Sequence, residues 1–407
     1  MGNNRHLAAL LGLALTYAST FAPFALPAPT GGSRIGTTRW VVVDSSRAEP
    51  FDPDRRREIE VIGWYPTDAA AGRSAPYLRE GLFGVRSFGT LLRNANAFDD
   101  LADVQTHARL DAPPQSGRRR LPLLLFSHGY TAPPDAYTAL CEDLASHGFV
   151  VLSVVHPYEA TGATLSGDRF ASMLDADGKL LPQIAGVLGE WQTEDATMAK
   201  VTGAADRTEQ RRLLRGYLDG LHQTPVALRR WVDDMRAVVD RPPQSLRPAA
   251  AALRERIDLQ RFGVVGHSMG GVTAAEFCLH EPRCRAALNL DGIPQHGAMI
   301  DEKLRRPLMM VYSARPGRLG ASDAIYAESA SPYFRVDVAD TLHLDFSDMV
   351  FWPALRERHA TGAIDPLRAV DVTRTLVREF FEQTLLGRRS PILSGERELE
   401  GVTIRRP

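Results

Sequence analysis

The stretch that most constrains this chain is Arg261-Phe262-Gly263-Val264-Val265-Gly266-His267-Ser268-Met269-Gly270-Gly271. A short apolar run leads into Gly-x-Ser-x-Gly, and a small-residue segment compatible with a helix, Gly271 to Leu279, follows it. This is the pattern of a strand that turns sharply into a helix, with the serine held at the apex of a strained turn. Gly266 and Gly270 fall where a side chain would press on the neighbouring strand or helix. An inert glycine-rich turn has the same five-residue signature. The two are separated by whether an acid, a histidine and a loop of backbone donors stand elsewhere in the required order.

The rest of the chain supplies the alternation such a turn needs. Arg39 to Val43 and Glu58 to Tyr65 read as strands of an antiparallel edge, with Pro50, Asp52 and Pro53 between them. Residues 66–117 read as irregular with helical patches. Leu121 to Phe126 is a buried-strand run that opens into Ser127-His128-Gly129-Tyr130-Thr131; a helical segment, Asp135 to His147, leads to a second run, Val150 to Val155. Continuous apolar strands separated by helices imply a parallel sheet covered on both faces. Residues 160–256 interrupt the rhythm as a helical insert. Within it Leu213, Leu214, Tyr217, Leu218 and Leu221 share one helical face. A second helix starts at Thr224-Pro225, read as cap and first residue, carries Leu228, Trp231, Val232, Met235, Val238 and Val239, and stops at Pro242-Pro243. That helix is expected to pack on the sheet, and residues 165–222 to cap the site. Beyond the elbow, Arg285 to Leu290, Leu308 to Ser313 and Phe334 to Val338 are strands. A last amphipathic helix with Val370, Val377, Phe380, Phe381 and Leu385 ends at Gly387, before a polar surface tail, 388–407.

At the N-terminus, Arg5 and His6 precede the apolar run Leu7 to Ala18 and the small residues Ala18 and Ser19. This reads as a secretory signal peptide and linker over residues 1–29, hence a secreted or periplasmic protein. The alternative is an uncleaved membrane anchor, against which Pro23, Pro27 and Pro29 argue. In an oxidising compartment Cys278 and Cys284 either close a small loop or remain two buried thiols, with Cys141 unpaired. The net charge of −1 gives no reason to expect a nucleic-acid partner, and the triplets Arg55-Arg56-Arg57 and Arg118-Arg119-Arg120 are read as solvated loop ends. No metal-ligand spacing and no phosphate-cradling glycine loop occurs, so no cofactor is implied.

A serine hydroxyl needs a base to become a nucleophile, and that base is commonly a histidine oriented by a carboxylate. In the α/β-hydrolase fold these follow the serine in the order acid, histidine, each after a strand. His343, just past the strand ending at Val338 and ahead of the last helix, is the expected base; His280, His296 and His359 are not so placed. His267 is expected to pack or hydrogen-bond. Asp291, at the end of Ala287-Leu288-Asn289-Leu290 and backed by Gly292, is the favoured acid, with Asp323 in the loop after the next strand as its rival. Asp340 and Asp345 lie too near His343 in sequence. The oxyanion donors are the backbone N–H groups of Met269 and Tyr130.

Several segments resemble the plasma-type platelet-activating factor acetylhydrolases: Phe126-Ser127-His128-Gly129, Leu144 to Val150, Gly266 to Gly271, Leu290-Asp291-Gly292, His343 to Asp348, and, at the edge, Gly36-Thr37-Thr38 with Trp64-Tyr65-Pro66. The resemblance runs from about residue 30 to 387. It implies an α/β-hydrolase domain over 30–387 and a triad of Ser268, Asp291 and His343, with the residue after His128-Gly129 as second oxyanion donor. It also implies a phospholipid or similar small ester with a short or oxidised acyl chain as substrate, and transient contact with a lipid surface. Tyr130-Thr131 and Met269 are also similar to polyester-degrading cutinases, which place their acid one strand later. The insert matches neither group closely. A carboxylesterase or polyesterase is therefore the main alternative; a non-catalytic scaffold and an acyltransferase are the others.

Overall fold

In the computed structural model, residues 24–117, 119–241 and 247–406 are described. The N-terminal apolar run, Arg118 and Pro242-Pro243 lie outside them. The first strands are β1 (Arg34–Glu49), β2 (Asp52–Thr67), β3 (Ser74–Pro76) and β4 (Gln105–Leu110). Next come β5 (Leu121–Ser127), β6 (Val150–Val155), the short β7 (Ala163–Thr164) and β8 (Phe170–Ala171), and the elbow strand β9 (Ile257–His267). β10 (Cys284–Leu290), β11 (Leu308–Tyr312), β12 (Tyr333–Val338) and β13 (Val402–Arg405) complete the set. All but β7 and β8 form one sheet, ordered β13-β12-β11-β10-β9-β5-β6-β2-β1-β4-β3. From β6 to β12 every pairing is parallel, while β2 runs antiparallel to β6 and to β1.

The central strands are apolar throughout because both faces are covered. Alternate residues feed opposite cores: Leu124 and Phe126 pack on one side with Phe380 and Phe381, Leu123 and Leu125 on the other with Met235 and Phe277. The first side is closed by helices Thr138–Ser146 and Pro366–Leu386, the second by Thr224–Asp240 and Met269–His280. Parallel strands end on the same edge, so the loops after β5, β9, β10, β11 and β12 converge there.

Several expectations need correction. Residues 66–117 contain strands β3 and β4, both short and polar enough to hide among turn residues. Thr224 does not cap its own helix: Gln223 is the N-cap residue, and Thr224 Oγ1 donates to Glu190 Oε2 at 2.7 Å, tying the helix to the insert. Arg57 is not a solvated loop end. It is fully buried, donating to Glu49 at 2.8 Å and leaving Asp234 ion-paired beneath Trp231. The C-terminal tail is tied down, with Ile392 and Leu393 buried and β13 antiparallel on β12. Cys278 and Cys284 are joined in a disulfide, and Cys141 is a buried free thiol.

The insert folds as the β7–β8 hairpin followed by helices Pro182–Glu190, Glu194–Thr202 and Arg207–Asp219. It is anchored to the loop after β11 by Arg318, whose guanidinium donates to Glu194 at 2.7 Å and pairs with Asp195. Among the described residues no helix is long and apolar enough to cross a membrane.

Candidate active site

Ser268 sits at the turn from β9 into helix Met269–His280 with φ 56° and ψ −128°. A non-glycine residue rarely adopts a positive φ, and the strain is held by the surroundings. The Ser268 N–H donates to Leu290 O at 2.8 Å, and its carbonyl accepts from Gly271 N at 2.9 Å. A Cβ on Gly266 would lie 2.2 Å from Gly270 O, and one on Gly270 would lie 2.1 Å from Ser127 O. Both glycines are therefore required by close backbone approach, as the motif suggests.

Asp291 directly follows β10 with φ 55°, so this residue, not Gly292, takes the left-handed position of the turn. Gly292 is needed because its missing side chain would lie 2.1 Å from Ser268 O. Oδ1 of Asp291 accepts from Ser313 N at 2.8 Å; Oδ2 accepts from Ser313 Oγ at 2.9 Å and from His343 Nδ1 at 2.7 Å. The Arg315 guanidinium approaches Oδ2 to 3.5 Å. Burial alone would push the Asp291 carboxyl up, but the His343 hydrogen bond and charge, Arg315 and the Ser313 amide together hold it at about 2. With Nδ1 donating to the ionised carboxylate, Nε2 is the ring nitrogen left for proton transfer. The His343 side chain is 26% exposed, against 2% for Asp291, so the imidazole reaches solvent and the carboxylate does not.

His267 is buried, and its hydrogen-bond roles are fixed by its partners. Nε2 lies 2.8 Å from the His343 carbonyl, which only accepts, so Nε2 carries the proton. Burial, with the His343 charge, holds this imidazole down at about 3, so it is neutral and Nδ1 accepts from Tyr137 Oη at 2.9 Å. Tyr137 Oη in turn accepts from Gly129 N at 3.0 Å. One chain of hydrogen bonds thus joins the loop carrying His343, the elbow and the loop after β5.

That last loop is fixed by a second histidine. His128 Nδ1 donates to Gly129 O at 2.7 Å and Nε2 accepts from His156 N at 3.1 Å. Ala132 N also reaches Gly129 O, at 3.1 Å. Because the peptide is planar and trans, fixing the Gly129 carbonyl points the Tyr130 N–H the opposite way. A Cβ on Gly129 would stand 3.4 Å from Ser268 Cβ, which sets this peptide beside the serine. Among the described residues neither the Tyr130 nor the Met269 amide has an acceptor within the chain.

The insert and helix Thr224–Asp240 build an apolar wall here. Tyr130 packs 5.3 Å from Trp191 and 5.8 Å from Trp231, and Met173, Ile184, Val187 and Leu228 cluster with Met269. Below, Trp231 stacks on His156 at 3.9 Å, and His156 Nδ1 donates to Asp234 at 2.9 Å.

The structure thus brings together Ser268, Asp291, His343, Tyr130 and Met269. Asp323 is elsewhere engaged, accepting from Tyr312, Tyr333 and Arg335 at 3.0, 2.7 and 2.7 Å. Asp345 accepts from the Leu342 and Gly362 amides, and His280 and His296 flank Glu276. Sequence reasoning missed Ser313, Tyr137 and the His156–Asp234–Trp231 stack. Ser313, placed at the end of a predicted strand, was the most discoverable of these.

The sheet order, the elbow at Ser268 and the loops after β10 and β12 that carry Asp291 and His343 define an α/β-hydrolase fold. The whole chain is similar to a solved ferulic acid esterase from Streptomyces cinnamoneus, with a TM-score of 0.69 and 25% identity over 94% of this chain and 99% of that one. The family model described as platelet-activating factor acetylhydrolase, isoform II, matches residues 78–183 and 239–389, and the chain belongs to that family. The platelet-activating factor acetylhydrolase of Canis lupus familiaris is 26% identical over 255 residues, 61% of this chain and 52% of its own length. That of Gallus gallus is 23% identical over 281 residues, covering 65% and 62%. The chain spans about half the length of the curated relatives it matches. The gap in the family match, 184–238, falls on the insert and the helix after it.

Proposed function

We propose that the chain is a serine esterase working through an acyl-enzyme. Ser268 Oγ attacks an ester carbonyl while His343 Nε2 takes its proton, and Asp291 keeps the imidazole in the Nδ1–H tautomer and stabilises the cation that forms. The Tyr130 and Met269 amides receive the tetrahedral oxyanion. His343 then protonates the leaving alcohol, and the same residue activates the water that releases the acid. The carrying observation is the 2.7 Å contact between Asp291 Oδ2 and His343 Nδ1, on loops at the same sheet edge as the strained Ser268.

Family membership supports a short or oxidised acyl chain on a phospholipid as substrate, with transient contact at a lipid surface. A second reading, a carboxylesterase or polyesterase without phospholipid preference, is favoured by the near-complete structural overlap with a ferulic acid esterase and by the Tyr130–Met269 pair. The insert then serves as a cap: its apolar residues press on both donor-bearing residues. Export is supported by the Leu7–Ala18 run and the Cys278–Cys284 disulfide, which persists in oxidising compartments. A panel pairing a short-chain sn-2 phospholipid with a soluble ester of equal acyl length separates the readings. A kcat/KM at least about tenfold higher on the phospholipid supports the first; parity, or preference for the soluble ester, supports the second.

A further inference from the structure

A cleft of about 180 Å³ opens on the β1–β4 side of the sheet, lined by Arg39, Arg73, Arg79 and Arg247 with Pro76 and Leu110. Among the described residues, none of those placed at Ser268 borders it and no carboxylate lines it. The four arginines come from separate segments: β1, the turn before β3, the stretch after β3, and the residue that caps helix Pro248–Arg256. Guanidinium groups repel one another, so four converging on one cleft need a counter-charge.

The carboxylates nearby supply it incompletely. Arg39 reaches Glu80 and Glu60 through Nη1, and Arg247 reaches Asp111 through Nη1 at 2.7 Å. Arg73 makes no ion pair among the described residues. Arg79 is the most committed to the interior: its side chain is 5% exposed, its guanidinium lies 4.8 Å over the Trp64 ring, and Nη2 donates to Thr37 Oγ1 at 3.0 Å. Its Nε has no hydrogen-bond partner and faces Asp135 Oδ1, likewise unpartnered and 3.7 Å away, on the side of an adjoining cavity that Glu60, Glu80 and Asp135 line. Burial pushes the Asp135 carboxyl up to about 7 and the Glu60 carboxyl well above the ordinary carboxylate range. The lining itself presents four guanidinium groups, of which Arg73 has no ion-pair partner among the described residues.

We propose that this arginine-lined cleft binds a compact oxyanion of the phosphate class. Guanidinium forks match tetrahedral oxyanions through paired N–H donors, whereas chloride offers them no such geometry. The same chemistry is presented by a free phosphate and by the phosphate of a lipid headgroup. This inference does not rest on the esterase reading.

The test uses the full chain with the exposed side chains Arg73 and Arg247 replaced, as Arg73→Ala, Arg247→Ala and the pair, each checked by circular dichroism and thermal melting. Titration calorimetry with inorganic phosphate, at ionic strength held constant with chloride, reads the free ligand. Sedimentation with phosphatidylcholine vesicles, with and without phosphatidic acid, reads the headgroup. The expected result is saturable phosphate binding that weakens about tenfold in each single variant and further in the pair. Retention on phosphatidic acid vesicles that both substitutions abolish, with no heat from free phosphate, also supports the site and assigns it to the headgroup. Absence of both signals, or phosphate or vesicle binding at wild-type strength in the double variant, overturns the proposal.

Discussion

Oδ2 of Asp291 stands 2.7 Å from Nδ1 of His343, whereas Asp323, one strand further on, is held by Tyr312, Tyr333 and Arg335. Asp291→Asn would present an amide to Nδ1 and favour the wrong imidazole tautomer. The expected loss in kcat is about 10⁴-fold with little change in KM. Asp323→Asn should leave kcat within about threefold and act on the melting temperature instead. Steady-state kinetics on a short nitrophenyl ester distinguish the two; an equal or larger loss at Asp323 would move the acid.

The same carboxylate predicts a slope in acid stability. Its value falls from 3.8 to about 2 on folding. A depressed acid adds stability that is full above its unfolded value and is lost as pH falls through its folded value. The contribution, about 2 kcal/mol, should therefore disappear between about pH 4 and pH 2. Buried His128 and His267, both held at about 3, act in the same direction over a higher window, starting near their unfolded value of 6.5, where only the unfolded chain takes up the protons. Urea unfolding from pH 7 to 2 should show both declines, and Asp291→Asn should make only the lower one shallower, since Asp234, despite its burial, is also held well below the ordinary carboxylate range by Arg57.

His128 bears on the oxyanion through a peptide plane and not through contact with substrate. Its Nδ1–H fixes Gly129 O and so the direction of the Tyr130 N–H. His128→Leu should lower kcat about tenfold to a hundredfold with KM nearly constant, since the donor matters only once the oxyanion has formed. His128→Asn, which keeps a donor in the same region, should restore part of the loss. A change confined to KM would contradict this role.

The Cys278–Cys284 disulfide closes a short loop between the elbow helix and β10. Reduction, or Cys278→Ser, should lower stability by about 2 kcal/mol on the chain-entropy account, seen as a lower melting temperature in dithiothreitol.

What the sequence made legible is what local physics determines. The run into Gly266-His267-Ser268, the strand before Asp291 and the helix ending at Gly387 each carry their own signal of periodicity, close packing or capping. β3, β4 and β13 escaped because they are short, half polar and on sheet edges, where neighbours and not propensity decide. Arg57 was misread for a related reason: its burial depends on Asp234, far along the chain and brought beneath it by the fold. Ser313 and Tyr137 act through hydrogen bonds across loops, which no spacing in one chain announces.

On the proposed mechanism Ser268 is the acyl-accepting nucleophile. Treating the intact protein with a fluorophosphonate probe and mapping the adduct by peptide mass spectrometry tests it most directly. Modification is expected at Ser268 alone, lost in Ser268→Ala together with ester turnover and strongly slowed in His343→Ala. Labelling at another residue, or turnover retained by a folded Ser268→Ala protein, would contradict it.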